Sequence, residues 1–238
     1  LEVRNLCRHA NYKNISFKLH QGEILGIIGL LGSGRTELAL SLFGMNQPDS
    51  GQILVSNQEV RFRSNKEAIA AGIAYVSENR RDVGLVLDQP IIDNLSITTL
   101  EKFLNKFFFI DEKKRWSVSE KGAKDLGVKA SSLDAAVTTL SGGNQQKVVL
   151  SKWLNVLPKI LILDEPTIGI DVVAKNGIHT LIKQLAEEGM SLLMISDEMA
   201  EVMHNCHRVL VMQGGRIAHE FRPEEENEEK LLEQFNLA

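Results

Sequence analysis

Cysteine is scarce in this chain: Cys7 and Cys206 are the only two among 238 residues. Two thiols are too few for a disulfide framework and these have no metal-ligand spacing, so both are expected to be buried and inert in a reduced, cytosolic setting. Long apolar runs are missing as well, since no stretch reaches the roughly eighteen residues of a membrane-spanning helix. Nor is there an excess of positive charge. A formal net charge of −4 gives no electrostatic reason to expect a nucleic-acid partner. The start, Leu1-Glu2-Val3-Arg4, reads as a strand rather than a signal peptide, and without an initiating Met it is expected to belong to an excised or processed piece. Core material is ample. With 43% hydrophobic residues, the length suits one large domain or a domain with a subdomain.

The most informative stretch is Gly29-Leu30-Leu31-Gly32-Ser33-Gly34-Arg35-Thr36. It follows the apolar run Ile24 to Ile28 and opens a helix-like stretch from Thr36 to Phe43. Its spacing is that of a phosphate-binding loop, G-x-x-x-x-G-K-[ST], with Arg35 where lysine is expected. Glycines let the backbone turn tightly and aim its N–H groups at phosphate oxygens. The following helix adds its positive end, and the Thr36 hydroxyl is suited to ligate Mg2+. Taken alone, the stretch also reads as an ordinary glycine-rich strand-to-helix turn.

Around it, Ile15, Phe17 and Leu19 alternate as in a half-buried strand, whereas Ile24 to Ile28 suits a parallel strand covered on both faces. Tyr12 reads either as an aromatic that stacks on adenine or as a packed surface tyrosine. Gln52 to Val55 and Ile73 to Ser77 are further strands. Ser64 to Ala71 is helical, with a Ser64/Glu67 capping box and Gly72 as its stop. Glu78 to Asp82 is too polar for a core and is either a solvated loop or a functional hinge. Residues 90–150 read as a helical subdomain set into a core of 1–89 and 151–238. Within it, Phe107, Phe108 and Phe109 cannot all face one side of a helix.

Leu140 to Gln146 is a Ser-Gly-Gly turn that opens another helix, whose bare backbone N–H groups make a second anion site. Ile160 to Leu163 is a buried strand ending at Asp164 and Glu165. An acid there is placed to hold Mg2+, and its neighbour to polarise an attacking water. Ser191 to Ser196 is a further buried strand that terminates at Asp197-Glu198. A hairpin follows over residues 208–218. The acidic tail from Pro223 to Ala238 is expected to be helical, with Glu224-Glu225-Glu226 as a solvated first turn.

Phosphate loop, Ser-Gly-Gly turn and strand-Asp-Glu occur in that order, with Ser141 lying 105 positions after Thr36. In this the chain resembles, over essentially its whole length, the nucleotide-binding domain of ABC transporters. Gly-Arg-Thr at 34–36, Leu-Ser-Gly-Gly-Asn-Gln-Gln-Lys at 140–147, Ser77-Glu78 with its basic run, and Ser196-Asp197-Glu198 sharpen the likeness. These resemble the second, C-terminal ATPase domain of the tandem subunits that drive bacterial ribose, galactose, xylose and arabinose importers.

The resemblance implies an α/β fold: a P-loop NTPase (RecA-like) core with an antiparallel β subdomain and an inserted helical subdomain that carries the signature motif. Two such domains close head to tail, with each ATP between one phosphate loop and the other domain's Ser-Gly-Gly turn. It further implies that Gly29, Gly32, Gly34, Arg35 and Thr36 cradle the β/γ-phosphates of ATP, that Ser33 and Glu37 belong to the same nucleotide-binding loop and helix start, and that Tyr12 stacks on adenine. Thr36, Asp164 and Glu78 would attend Mg2+. Glu165 would orient the attacking water, and Asp197 would face the γ-phosphate. Ser141, Gly142, Gly143 and Asn144 would reach the nucleotide held by the partner domain, and Asp171 would line the interface. The implied partners are an N-terminal ATPase domain of the same subunit, membrane permease subunits and, indirectly, a periplasmic sugar-binding protein. No nucleic acid is expected. The implied place is peripheral, on the cytoplasmic face of the inner membrane. Glu78 to Asp82 and Phe107 to Phe109 are expected to dock a cytoplasmic helix of the permease.

Three departures from the family pattern bear on activity. Arg35 replaces a compact ammonium with a planar guanidinium, which is not equivalent. Glu78 stands in place of a glutamine, and Asp197 in place of a histidine that contacts the γ-phosphate. Like charges a few Å apart repel by roughly 1 kcal/mol in water, and by more when desolvated. The domain's own ATP site is therefore expected to be impaired. Its Ser-Gly-Gly turn, with Asn144 in place of the commoner glutamine, should complete the partner's site. Ile168 stands where an arginine is expected before Gly169-Ile170-Asp171. Two other classes compete. A soluble ABC ATPase of chromosomes or ribosomes is opposed by the short spacing and the acidic composition. A non-hydrolysing, nucleotide-dependent structural domain is favoured by Arg35 and Asp197 but opposed by the intact Asp164-Glu165 pair.

Overall fold

The apolar run that precedes the glycine-rich loop becomes a strand buried along its whole length. A computed structural model describes residues 1–235, and the last three residues of the expected helical tail, 236–238, lie outside them. The elements follow as β1 (Glu2–Arg8), β2 (Tyr12–Lys18), β3 (Ile24–Gly29), α1 (Arg35–Leu42), β4 (Ser50–Val55), β5 (Gln58–Val60), α2 (Asn65–Ala70) and β6 (Ile73–Val76). Then come α3 (Ile91–Ser96), α4 (Glu112–Asp125), α5 (Gly142–Leu154), β7 (Ile160–Asp164), α6 (Val172–Glu187), β8 (Ser191–Ile195), α7 (Met199–Asn205), β9 (Arg208–Gln213), β10 (Arg216–Phe221) and α8 (Glu228–Phe235).

Contacts divide the chain into two compact units. One comprises residues 1–75, 159–166 and 182–238, the other 76–158 and 167–181. The second unit therefore starts before position 90, where the helical subdomain was expected to begin, and also takes in 167–181. The reason is local: residues 80–84 bond to the carbonyls of Ile168 and Gly169 and to Lys152, all within this unit.

In the first unit, strands with continuous apolar character assemble a six-stranded sheet in the order β10-β9-β3-β8-β7-β6. β3 runs parallel to both β8 and β9, and β7 parallel to β8, while β10 returns antiparallel. Every residue of β3, β7 and β8 is buried, as expected for strands covered on both faces. The alternating strands instead form the antiparallel sheet β2-β1-β4-β5. Parallel register pairs Ile27 and Asp164 alike with Ile195. Gly29, Asp164 and Ser196 consequently emerge at one carboxyl edge of the sheet, where open α/β sheets place their ligands.

Some local expectations are corrected. Ser64 does cap α2 in an extended conformation, but its side chain makes no capping bond. Glu67 Oε2 accepts from the Arg63 N–H at 2.8 Å, so the reciprocal box does not form. Gly72 stops the helix with φ +89°, as expected. Cys206 is buried, and burial pushes its thiol pKa up, whereas Cys7 is only half-buried. Glu224 to Glu226 are exposed, but they sit at a short 3-10 turn ahead of α8 rather than in its first turn.

In the second unit, α3, α4 and α5 pack together around Ile91, Leu95, Val148 and Val149, all fully buried. An ion pair of 2.6 Å between Arg115 and Asp93 joins α4 to α3. Phe107 to Phe109 lie on a tight turn rather than a helix. The Asn105 side chain accepts from the Phe107 and Phe109 N–H groups at 2.8 and 3.1 Å. Phe108 takes a left-handed φ of +63° and is 84% exposed. An aromatic held there, at the cost of unfavourable backbone geometry, has nothing of its own unit to pack on.

Candidate functional site

In the first unit the loop after β3 is shaped by contacts that only glycine allows. A Cβ on Gly34 would lie 2.5 Å from the Asn11 carbonyl oxygen, and its φ of +93° is left-handed. A Cβ on Gly29 would lie 2.2 Å from the Met212 carbonyl oxygen. Ser33 is buried with its hydroxyl unpartnered in the same loop. An orphaned hydroxyl beside bare backbone N–H groups at the start of α1 fits a phosphate. Glu37 occupies the first turn of that helix.

Asp164 ends β7 fully buried. Its Oδ1 accepts from the Thr36 hydroxyl at 3.4 Å and its Oδ2 from the Tyr75 hydroxyl at 2.8 Å. One carboxylate and one hydroxyl side by side suit Mg2+, which keeps most of its shell for water and phosphate oxygens. Accordingly, the described residues contain no cluster of three or more His, Cys, Asp or Glu that would enclose a metal by themselves. Tyr75 was not anticipated as a site residue, because in the sequence it reads as one more strand position.

Glu165 follows with φ +48°, a strained conformation for a carboxylate residue, and its N–H is held by the Ile195 carbonyl at 3.0 Å. Burial, then the charge of Asp197, raise its pKa to about 8. Arg35, 3.7 Å away, opposes this without reversing it. Near neutral pH the proton therefore stays on Glu165. Arg35 itself does not join the glycine loop as the resemblance implied. Its buried guanidinium needs acceptors, and Nη1 donates to the Ser196 carbonyl at 2.6 Å. Asp197 is exposed beside this cluster. Tyr12 is also corrected: it is 3% exposed and hydrogen-bonds Ser41 through its hydroxyl at 2.5 Å, which leaves no free ring face for a base.

The second unit holds Glu78, Ser141, Gly142, Gly143, Asn144 and Asp171. Ser141 caps α5 without a side-chain bond to the helix backbone, and no acid sits in the first turn, so the N–H groups there remain available. Asn144 fixes the turn: it donates to Ser141 Oγ at 3.0 Å and accepts from the Lys129 N–H at 2.8 Å. A Cβ on Gly143 would lie 2.4 Å from Ala174 Cβ, so the turn sits tight against α6. Asp171 accepts from the Ala174 N–H at 2.9 Å and thereby caps α6. Glu78 is exposed, and its carbonyl accepts from the Arg80 N–H. Lys152, in α5, is buried with its ammonium on the Gly84 carbonyl, and burial lowers its pKa to about 8. Neither Arg80 nor Lys152 was singled out: the run around Arg80 reads as a solvated loop or a functional hinge, and Lys152 only as one more position of the helix after the Ser-Gly-Gly turn.

A family model described as ABC transporter matches residues 12–168. The chain is 43% identical over 98% of its length to a ribose import ATP-binding protein of Streptococcus agalactiae, and 44% identical over 98% to one of Rhizobium johnstonii. It spans about half the length of these curated relatives, 47% and 45% respectively. Among solved structures, a nucleotide-free ATP-binding cassette from an ABC transporter superposes with a TM-score of 0.83 at 22% identity, covering 98% of this chain and 94% of that one.

Proposed function

The chain belongs to the ABC transporter family, and from that premise we propose that it is the energy-coupling ATPase domain of a carbohydrate importer of the ribose type, with a weak nucleotide site of its own and a signature turn that completes its partner's. In this reading the glycine loop and Ser33 bind the ATP phosphates, while Thr36 and Asp164 hold Mg2+, which when bound neutralises charge developing on the transferred phosphoryl group. Glu165 would orient the attacking water. A carboxyl that keeps its proton at neutral pH is a poor base, and Asp197 adds a negative charge near the expected γ-phosphate position. Ser141, Gly142 and Gly143 would present N–H groups to the nucleotide of an N-terminal ATPase domain of the same subunit. The observation that carries this reading is the coexistence of an open signature turn with an Arg35 guanidinium that donates to the Ser196 carbonyl instead of joining the glycine loop. The same observation favours one second reading, a domain that binds nucleotide without hydrolysing it.

The isolated chain should bind Mg-ATP weakly and turn it over slowly, as titration calorimetry and phosphate release would record. Turnover as fast as that of the assembled importer would refute the reading. No helix among the described residues is long and apolar enough to cross a membrane. Attachment to the cytoplasmic face of the membrane would then go through permease subunits, which a periplasmic sugar-binding protein would serve. The segment Glu78 to Asp82 and the exposed Phe107 to Phe109 turn are the proposed docking surfaces. Cysteines introduced at Asp82 and Phe108 should cross-link to the permease. Cross-links confined to the acidic tail would show that docking lies elsewhere.

A further inference from the structure

Arg80 opens a one-turn π-helix, Arg80–Gly84. π-Helical turns are rare, and this one stands outside any α-helix. Its guanidinium forks onto two successive carbonyls, Nη1 to Ile168 at 2.6 Å and Nη2 to Gly169 at 3.0 Å. The same Nη2 lies against the signature turn: a Cβ added to Gly142 would be 3.0 Å from it and 3.4 Å from the Gly169 carbonyl oxygen. At the far end of the π-turn, the Gly84 carbonyl accepts from Lys152 of α5. The segment is thus tied at its start to loop 168–171 and at its end to the helix that carries the signature turn.

The arrangement is not electrostatically comfortable. A cation beside the first turn of α5 opposes the positive end of that helix. Burial and the neighbouring Arg81 both push the Arg80 pKa down, and its Nε is buried without an acceptor. What the fork supplies in return is geometry. A planar guanidinium fixes two acceptors relative to each other, which a single ammonium cannot do.

We propose that Arg80 is a positioning residue, which holds loop 168–171 against the Ser141-Gly142-Gly143 turn and so fixes where the signature N–H groups point. The inference rests on the reading that this turn completes the partner domain's ATP site. Replacing Arg80 leaves the signature N–H groups in place but lets them wander. Turnover should therefore suffer more than nucleotide affinity, which the partner's own phosphate loop provides.

The test compares Arg80→Ala and Arg80→Lys in the full importer reconstituted with its permease, at varied ATP. Arg80→Ala should lower kcat about tenfold or more, and Arg80→Lys about threefold, since lysine keeps the charge but not the fork. The KM for ATP should move by less than about twofold. Thermal unfolding of each variant controls for a merely structural role. An unchanged kcat, a KM rise that matches the kcat loss, or a loss that tracks the unfolded fraction would overturn the proposal. Ser141→Arg is assayed alongside. If it too leaves ATPase activity intact, the reading of the signature turn fails. If Ser141→Arg abolishes activity and the Arg80 variants do not, only the positioning role fails.

Discussion

Ser141→Arg should reduce ATP hydrolysis by the assembled importer by about a hundredfold or more, while Glu165→Gln should change it by less than about threefold. Ser141 is exposed at the N-terminus of α5, so a long cation there meets no core and the fold should survive. It would instead fill the space in which the partner's γ-phosphate meets the signature N–H groups. Losing a preorganised donor set of this kind costs roughly two to three powers of ten in rate. On the proposed reading, Glu165 belongs to the weaker site. Its carboxyl keeps its proton up to a pKa of about 8 and lies 3.7 Å from an arginine committed to the Ser196 carbonyl. A glutamine is close in shape and charge to that protonated acid, and it removes a base that is not working at neutral pH. Phosphate-release assays on the two reconstituted variants give the comparison directly. Equal losses would mean that this chain's own site is catalytic, and that the geometry around Arg35 does not disable it.

Much of the site was legible because strand character and motif order constrain each other. Nearly continuous apolar strands that end in Gly29, Asp164 and Ser196 are the pattern of parallel strands covered on both faces, and parallel strands gather their ends on one edge. The Ser-Gly-Gly turn announced itself through glycines at a helix start, where Gly143 has Ala174 too close for any side chain. What stayed hidden depends on where an acceptor lies in space. Tyr12 precedes the loops as an adenine-stacking aromatic would, and only the tertiary fold brings Ser41 to its hydroxyl. Arg35 matched the motif by position, but its length carries the charge past the loop to the Ser196 carbonyl. Arg80 sat in a run read as a solvated loop or a hinge, because composition does not reveal that residues 168 and 169 offer it two carbonyls. Glu67 had the residue type and spacing of a capping partner, yet the Arg63 N–H was the donor it met.

Glu165→Gln should also stabilise the chain, and the gain should depend on pH in one direction only. The Glu165 pKa rises on folding from its ordinary value of 4.5 to about 8, chiefly through burial and then through Asp197. Below pH 4.5 the carboxyl is protonated in both states and contributes no difference. As pH climbs from 4.5 towards 8, the unfolded chain releases its proton while the folded chain retains it. Folding stability is lost across this window, and the deficit is constant above it. Glutamine never ionises, so it escapes the whole loss. Its advantage should be negligible at pH 4, grow through neutrality and level off above pH 8 somewhat below the roughly 5 kcal/mol that the full rise would give, because solvent screens the partly exposed carboxyl. The 3.7 Å contact with Arg35 does not reverse the sign, because an attraction strong enough to do so would have kept the folded pKa low. Urea unfolding of both forms at pH 5 and pH 8.5 measures the difference. A gain that is equal at the two pH values, or a loss at pH 8.5, would mean that Glu165 is ionised in the folded protein. The carboxylate would then be a competent base at neutral pH, and the weakness of this nucleotide site would have to rest on Arg35 and Asp197 alone.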